Sequence, residues 1–178
     1  KVGLVSEIRR QRALPNHRMR WCTRILKIEP YQQALMGAMP CTSYVGIRFD
    51  EDDRDGVDHA ALGDVVNRYP LVEWKWSLGD VQRYLAHREV TIPARTDCAF
   101  CFFQRLGEWR KLWQDHPDAY AEAEALEAEI GHTFRSPSRD SWPAGLKELR
   151  AEFEAGRVPR AFTPGVDTRQ AMCSFCAR

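Results

Sequence analysis

Cys98-Ala99-Phe100-Cys101 lies among aromatic residues near the middle of a 178-residue chain, and Cys173-Ser174-Phe175-Cys176 lies near its C-terminal end. A Cys-x-x-Cys pair has the spacing that puts two sulfurs on one metal ion. Two such pairs predict that Cys98, Cys101, Cys173 and Cys176 converge on a single centre. Residues 102–172 separate the pairs, far more than in zinc ribbons and fingers, so no small zinc module matches. Zinc and an iron–sulfur cluster both accept four thiolates, and the residues alone leave that choice open. Phe100, Phe102, Phe103 and Phe175 stand beside the pairs, where they either shield an oxygen-sensitive centre or simply pack. The competing reading, reduced cysteines acting as small core hydrophobes, does not account for two identical spacings.

A second chemical feature is basic. Arg9, Arg10, Arg12, Arg18, Arg20, Arg24 and Lys27 occur with no acid between them. Such a run is either a solvated helix face or an anion site, because Arg and Lys are the natural clamps for phosphate. Cys22 lies inside it, and nearby positive charge lowers a thiol's pKa and raises its reactivity. A nucleophilic or sulfur-carrying thiol at Cys22 therefore competes with a packed structural cysteine. Cys41, after Pro40, carries no role.

The elements that must position these residues read as follows. Pro15-Asn16 divides the basic segment, and residues 18–28 carry Met19, Cys22, Ile25 and Leu26 at helical spacing. Residues 43–49, Ser-Tyr-Val-Gly-Ile-Arg-Phe, predict a buried strand, with Asp50 to Asp55 just past its carboxyl end. That is where α/β proteins place ligands, although a solvated loop reads the same way. Val72, Trp74 and Trp76 alternate with Glu73 and Lys75 and predict a second extended piece. Ser77-Leu78-Gly79-Asp80 resembles a capping box with Asp in place of Glu, opening a helix with Val81, Tyr84 and Leu85 on one face. Leu106, Trp109, Leu112 and Trp113 predict a core-facing helix. Pro117 suits the first turn of the next helix, whose buried stripe is Tyr120, Ala123, Leu126 and Ile130 and whose C-cap is Gly131. A last helix starts at Ser141-Trp142-Pro143 with Leu146, Leu149 and Phe153 facing inward.

The composition is that of an ordinary globular protein, 44% hydrophobic and 29% charged. A net charge of +1 singles out no partner. Six cysteines are too few for a disulfide scaffold, and neither a signal peptide nor a membrane-length apolar run is present, so a cytoplasmic protein without a membrane partner is expected. Two predicted strands are too few for a complete doubly wound sheet, because parallel strands need partners covering both faces. The missing strands are expected from sequence N-terminal to Lys1 or from a partner chain.

These pieces occur in a familiar order. Arg20-Trp21-Cys22-Thr23 with Leu26-Lys27-Ile28 resembles the R-x-C-T…L-K segment of the phosphoadenosine phosphosulfate (PAPS) reductase family. Gly46-Ile47-Arg48-Phe49-Asp50-Glu51-Asp52-Asp53-Arg54 is similar to that family's G-I-R-x-D-E-x-x-R element. Tyr69-Pro70-Leu71 with Trp74, then Asp80-Val81 and Tyr84-Leu85, resembles its P-L-x-x-W…D-V-x-x-Y-L segment, which there too leads into a cysteine pair. Trp109 to Pro117 is similar to the Trp-containing and His-Pro helices of a phage-like, DNA-sulfur-modification-like branch. The resemblance covers about residues 18–176. It implies membership of the adenine nucleotide α-hydrolase-like superfamily and an α/β fold. Residues 1–93 would be the C-terminal part of a Rossmann-like parallel-sheet nucleotide domain whose N-terminal half is missing. Residues 94–178 would be a mainly helical region with the four-cysteine metal site. It further implies ATP or PAPS as ligand, held by Arg20, Lys27, Arg48 and Arg54 with Cys22 and Thr23 beside the nucleotide. It favours a 4Fe–4S cluster over zinc.

The chain departs from the family in two places. The phosphate loop S-G-G-K-D-S is absent, which predicts either a missing N-terminal half or a member that no longer hydrolyses nucleotide. The Glu-Cys-Gly catalytic tail is also absent, which argues against PAPS reduction itself and leaves sulfur transfer or sulfonucleotide processing, with a nucleic acid or a sulfur-donor protein among the possible partners. The alternative is a zinc-stapled, non-enzymatic module that binds nucleic acid or a protein through Arg9 to Lys27. A net charge of +1 is low for a dedicated nucleic-acid binder.

Overall fold

The computed structural model describes residues 3–51, 62–92, 98–137 and 139–160. These residues form a mixed α/β chain whose sheet has two parallel strands. They divide into two compact units, one taking residues up to Leu26 together with those of Asp97–Pro164, the other those of Lys27–Thr96.

The first unit is helical. Helix α1 (Leu4–Gln11) brings Ile8 into the core, and α2 (Trp21–Thr23) adds Trp21 at the margin. Helices α6 (Leu106–Asp115), α7 (Pro117–Ile130) and α8 (Leu146–Glu154) supply most of the rest. Trp109, Tyr120, Ala123, Leu126, Leu146 and Leu149 are 0–1% exposed, so the three helical stripes read from sequence are the core. Trp109 meets Tyr120 edge-on at 6.3 Å and 86°, the arrangement aromatic quadrupoles favour. Pro117 occupies the first turn of α7, where its missing N–H has no cost, and Gly131 caps the helix with φ 76°. Helix α8 starts at Leu146, after Trp142-Pro143 and with Gly145 as N-cap, later than expected. Its first N–H is taken by the Glu127 carboxylate at 2.6 Å, and the same carboxylate accepts the Phe134 N–H at 2.7 Å.

The second unit holds the sheet. Strand β1 (Cys41–Tyr44) pairs in parallel with β2 (Val65–Arg68), Cys41 opposite Val65 and Tyr44 opposite Arg68. The predicted strand at 43–49 is thus displaced toward the N-terminus. The ladder stops after the Val45 N–H reaches the Arg68 carbonyl at 2.9 Å. Pro70 then opens α4 (Pro70–Glu73), which takes the partner strand away. The second extended piece expected at Val72–Trp76 is instead this helical turn and its cap. The Trp76 N–H bonds the Leu71 carbonyl and the Lys75 N–H the Val72 carbonyl, a Schellman closure with Lys75 at φ 56°. Helix α5 (Leu78–His87) starts at the expected box, with the Ser77 N–H donating to Asp80 at 2.8 Å. Along the chain, α2 passes into a π-helical segment (Arg24–Ile28) and then α3 (Glu29–Met36), beyond the expected end at residue 28. Pro30 accounts for the π segment: it lacks the N–H that would bond the Leu26 carbonyl, and its ring crowds that group, so the local ladder widens. Within this unit Leu35, Ile47 and Val65 are buried, and the Tyr31 hydroxyl lies 2.7 Å from that of buried Ser43.

A candidate metal half-site on an anchored turn

In the helical unit the Cys98–Gln104 segment is a succession of tight turns. The Cys101 N–H donates to the Cys98 carbonyl at 3.2 Å, and the Gln104 N–H to the Cys101 carbonyl at 2.9 Å. Between and after the cysteines, Phe100 and Phe102 point into the protein and are 5% and 4% exposed. Phe100 packs on Phe134 at 6.2 Å. Alternation of anchored rings with surface cysteines leaves Cys98 exposed and Cys101 half-buried. The phenylalanines therefore anchor the turn in the core, and the cysteines are what it displays.

Two side chains hold the backbone of this turn. Gln104 is 3% exposed. Its amide nitrogen donates to the Cys98 carbonyl at 3.3 Å and to that of Ala99. Arg139 donates from one terminal nitrogen to the carbonyls of Phe102 at 3.3 Å and Gln104 at 3.2 Å. Burial first, then the charges of Arg135 and Arg105, pushes the Arg139 pKa below its ordinary value.

The basic segment reaches the same turn. The His17 ring meets Phe102 at 5.3 Å and Phe103 at 5.0 Å, both edge-on. Burial, then Arg139 and Arg20, lowers its pKa below 6.5, so the ring is neutral at neutral pH. Arg20, the N-cap of α2, is half-buried, as are Cys22 and Thr23. Arg20, Cys22, Thr23, Cys98 and Cys101 thus belong to one compact unit. The folded chain joins segments about eighty residues apart through the contact of His17 with Phe102 and Phe103.

Lys27 and Arg48, also expected from sequence to hold nucleotide, belong to the second unit. Lys27 is exposed on the π-helical segment of the second unit. Arg48 is 8% exposed in that unit, its Nε 2.9 Å from Asp50 and a terminal nitrogen 3.6 Å from Glu51. Asp50 also accepts the Leu78 N–H at the start of α5 at 3.2 Å. Burial raises the Asp50 pKa, but the Leu78 N–H and the Arg48 guanidinium outweigh it and leave the carboxyl below its ordinary range. To meet a phosphate, Arg48 must share or give up these carboxylates. Arg54, Cys173 and Cys176 lie outside the described residues.

The donor set of the turn fits half of a tetrathiolate site: two cysteines at i and i+3, joined by a hydrogen bond between their own backbones. Buried Oε1 of Gln104 meets no donor among the described residues. Among the described residues no group of three or more His, Cys, Asp or Glu side chains is placed to hold a metal ion. A separate groove of about 820 Å³ in the helical unit, lined by Ala121, Ala125 and Ala128 of α7 and by Trp113 and Arg150, contains none of the cysteines. Sequence reasoning did not find Gln104, Arg139 or His17. No helix among the described residues is long and apolar enough to cross a membrane. No protein-family model, curated protein or solved structure matches the chain.

Proposed function

We propose that this chain is a nucleotide-dependent sulfur-transfer or sulfonucleotide-processing protein of the PAPS reductase-like family. In this reading Cys98, Cys101, Cys173 and Cys176 hold a 4Fe–4S cluster. The observation that carries it is the Cys98–Cys101 turn, set on buried phenylalanines in the same compact unit as Arg20, Cys22 and Thr23. When bound, such a cluster supplies a site for sulfur or electron chemistry. The chain's own residues perform the other tasks. Arg20, in the same compact unit as the turn, holds oxygens of ATP or PAPS. Cys22, within the basic segment, carries the sulfur. Neutral His17 lies against the turn without adding charge to it.

The small parallel sheet supports the Rossmann-like part of the reading. Tyr44 is 70% and Val66 59% exposed on one of its faces, although parallel sheets are ordinarily covered on both. The proposal covers that face with elements of a larger nucleotide domain, supplied by further sequence or a partner chain. The basic segment, by contrast, spends part of its charge internally: Arg9 pairs with Glu129 at 3.0 Å and Arg10 with Glu7 at 2.7 Å.

The test is anaerobic purification followed by metal and sulfide analysis. The reading requires iron and acid-labile sulfide together, with thiolate-to-iron absorption near ~400 nm that is lost in Cys98→Ser and in Cys173→Ser. A colourless protein holding stoichiometric zinc replaces the cluster with a structural ion and removes the case for redox chemistry.

A further inference from the structure

Cys98 and Cys101 share a property that needs neither a metal nor a third cysteine. Residues 98–101 form one turn, closed by the Cys101 N–H on the Cys98 carbonyl at 3.2 Å. A turn closed in this way brings the Cα atoms of its first and fourth residues within about 7 Å. Disulfides span Cα separations of about 4.4–6.8 Å. The backbone of the turn therefore has the span that a Cys98–Cys101 bridge requires.

The contacts that hold the turn involve neither cysteine side chain. Phe100 and Phe102 are 5% and 4% exposed, and Phe100 packs on Phe134 at 6.2 Å. The Gln104 amide donates to the Cys98 carbonyl at 3.3 Å, and Arg139 to those of Phe102 at 3.3 Å and Gln104 at 3.2 Å. Joining the two sulfurs removes two hydrogens and adds no atom, so these contacts persist in the bridged form. The fold also meets in advance the entropy of bringing the two residues together, which favours closure of the ring over a lasting adduct. Access then sets the order of reaction. Cys98 is exposed and Cys101 half-buried, so an incoming reagent meets Cys98 first.

We propose that in the metal-free chain Cys98 and Cys101 are a reversible dithiol–disulfide pair, with Cys98 as the attacking and Cys101 as the resolving thiol, whose substrate is a small-molecule disulfide, RS–SR. The Cys98 thiolate attacks one sulfur of the reagent. A mixed disulfide forms, the RS–SR bond breaks, and the departing thiolate takes up the proton that Cys98 has lost. The Cys101 thiolate then attacks the Cys98 sulfur and expels the second thiolate, which takes up the proton of Cys101. The protein gains one disulfide and the reagent becomes two RSH: two protein sulfurs are oxidised and two reagent sulfurs reduced. Excess RSH reverses both steps. The inference goes beyond the metal reading and stands without it. A sulfur in a disulfide offers no thiolate, so oxidation and metal loading exclude each other at this turn.

The experiment treats the reduced, metal-free full chain with glutathione disulfide, alkylates the remaining thiols and maps the tryptic peptides by mass spectrometry. Arg95 and Arg105 place both cysteines in one peptide, residues 96–105, and Arg169 places Cys173 and Cys176 in another, residues 170–178. The expected product is peptide 96–105 lighter by two hydrogens and closed to alkylation, and dithiothreitol restores it. In Cys101→Ser a glutathione adduct is expected to persist at Cys98. In Cys98→Ser, Cys101 is expected to acquire the adduct more slowly than Cys98 does in Cys101→Ser. A bridge from peptide 96–105 to any other peptide, or a lasting glutathione adduct on the wild-type turn, overturns the inference. Adduct formation at equal rates in the two serine variants overturns the assigned order of attack. Circular dichroism of the oxidised chain is expected to match that of the reduced one, and loss of helical signal on oxidation overturns the claim that the fold accommodates the bridge. The map is read without metal, so its failure leaves the iron and sulfide analysis standing, and a chain that binds no iron leaves the map to decide the pair.

Discussion

The carboxylate of Glu127 receives the backbone N–H of Leu146 at 2.6 Å, nineteen residues away, and so caps helix α8 from the side of α7. The other oxygen takes the Phe134 N–H at 2.7 Å. One buried acid thus organises the chain entering α8 and the turn after α7.

Glu127 also sets a pH dependence. Burial raises its pKa from 4.5 to about 7, against the two N–H bonds, which lower it. The folded pKa lies above the unfolded one, so the folded chain binds the extra proton between them. Its contribution to stability is complete below about pH 4.5 and is lost as pH rises through about 7. Urea unfolding at pH 5 and pH 8 should therefore give the higher stability at pH 5, by on the order of 1–3 kcal/mol. Glu127→Gln keeps one acceptor and aims an NH₂ group at the second N–H. It should cost about 1–3 kcal/mol at pH 5 and flatten this part of the profile.

Arg48 leads to a second prediction. Its guanidinium lies against Asp50 and Glu51, and the Glu51 side chain is 8% exposed. Arg48→Ala removes the Arg48 guanidinium from a nearly buried carboxylate. Fully buried pairs lose about 3–5 kcal/mol on such truncation. Asp50 is 40% exposed, and solvent screening reduces the loss to about 2–3 kcal/mol. Thermal unfolding of Arg48→Ala against Arg48→Lys measures it. A fully stable Arg48→Ala that fails to bind ATP would support Arg48 as a phosphate-binding residue.

How much of this was legible in advance depended on range. Ser77 and Asp80, Pro117 and Gly131, and the stripes through Trp109, Tyr120 and Leu149 are local patterns, and the folded chain keeps them. Strand β2 has four residues with Val65 alone buried, too short to stand out from its surroundings. The alternation of Val72, Trp74 and Trp76 imitated a strand, yet Pro70 seeds a helical turn there. Helix α1 was hidden because charged Glu7 and Arg9 flank its one fully buried residue, Ile8. The cysteine spacing announced a metal site, but the groups that hold the turn come from long range: Arg139 is thirty-seven residues from Phe102, and no local pattern marks it.

His17 provides a test of the link between the basic segment and the turn. Burial is the largest cause of its lowered pKa, followed by Arg139 and Arg20. Arg20→Ala removes one repelling charge and leaves the burial, so the His17 pKa should rise part of the way toward 6.5. Proton NMR titration of the ring reads this directly. The same titration in Arg24→Ala, a cation absent from the causes of the shift, should leave His17 where it is in the wild type. Equal shifts in both variants would mean that the segment acts through its overall charge rather than through Arg20.

The end of α5 leads to the last prediction. The Val90 N–H bonds the Leu85 carbonyl and the Glu89 N–H the Ala86 carbonyl, both at 3.0 Å, which closes the helix with Glu89 at φ 55°. This left-handed position favours glycine, since a Cβ there crowds the backbone at a cost of about 1–2 kcal/mol. Glu89 is exposed and enters no ion pair among the described residues. Glu89→Gly therefore relieves strain at the cost of added freedom in the unfolded chain, worth about 0.5–1 kcal/mol. The balance should be a gain of up to about 1 kcal/mol, seen as a higher urea midpoint with an unchanged slope. Glu89→Ala keeps the Cβ and serves as the control: it should be no more stable than the wild type. A gain of equal size in the alanine variant would assign the effect to loss of the carboxylate rather than to the backbone.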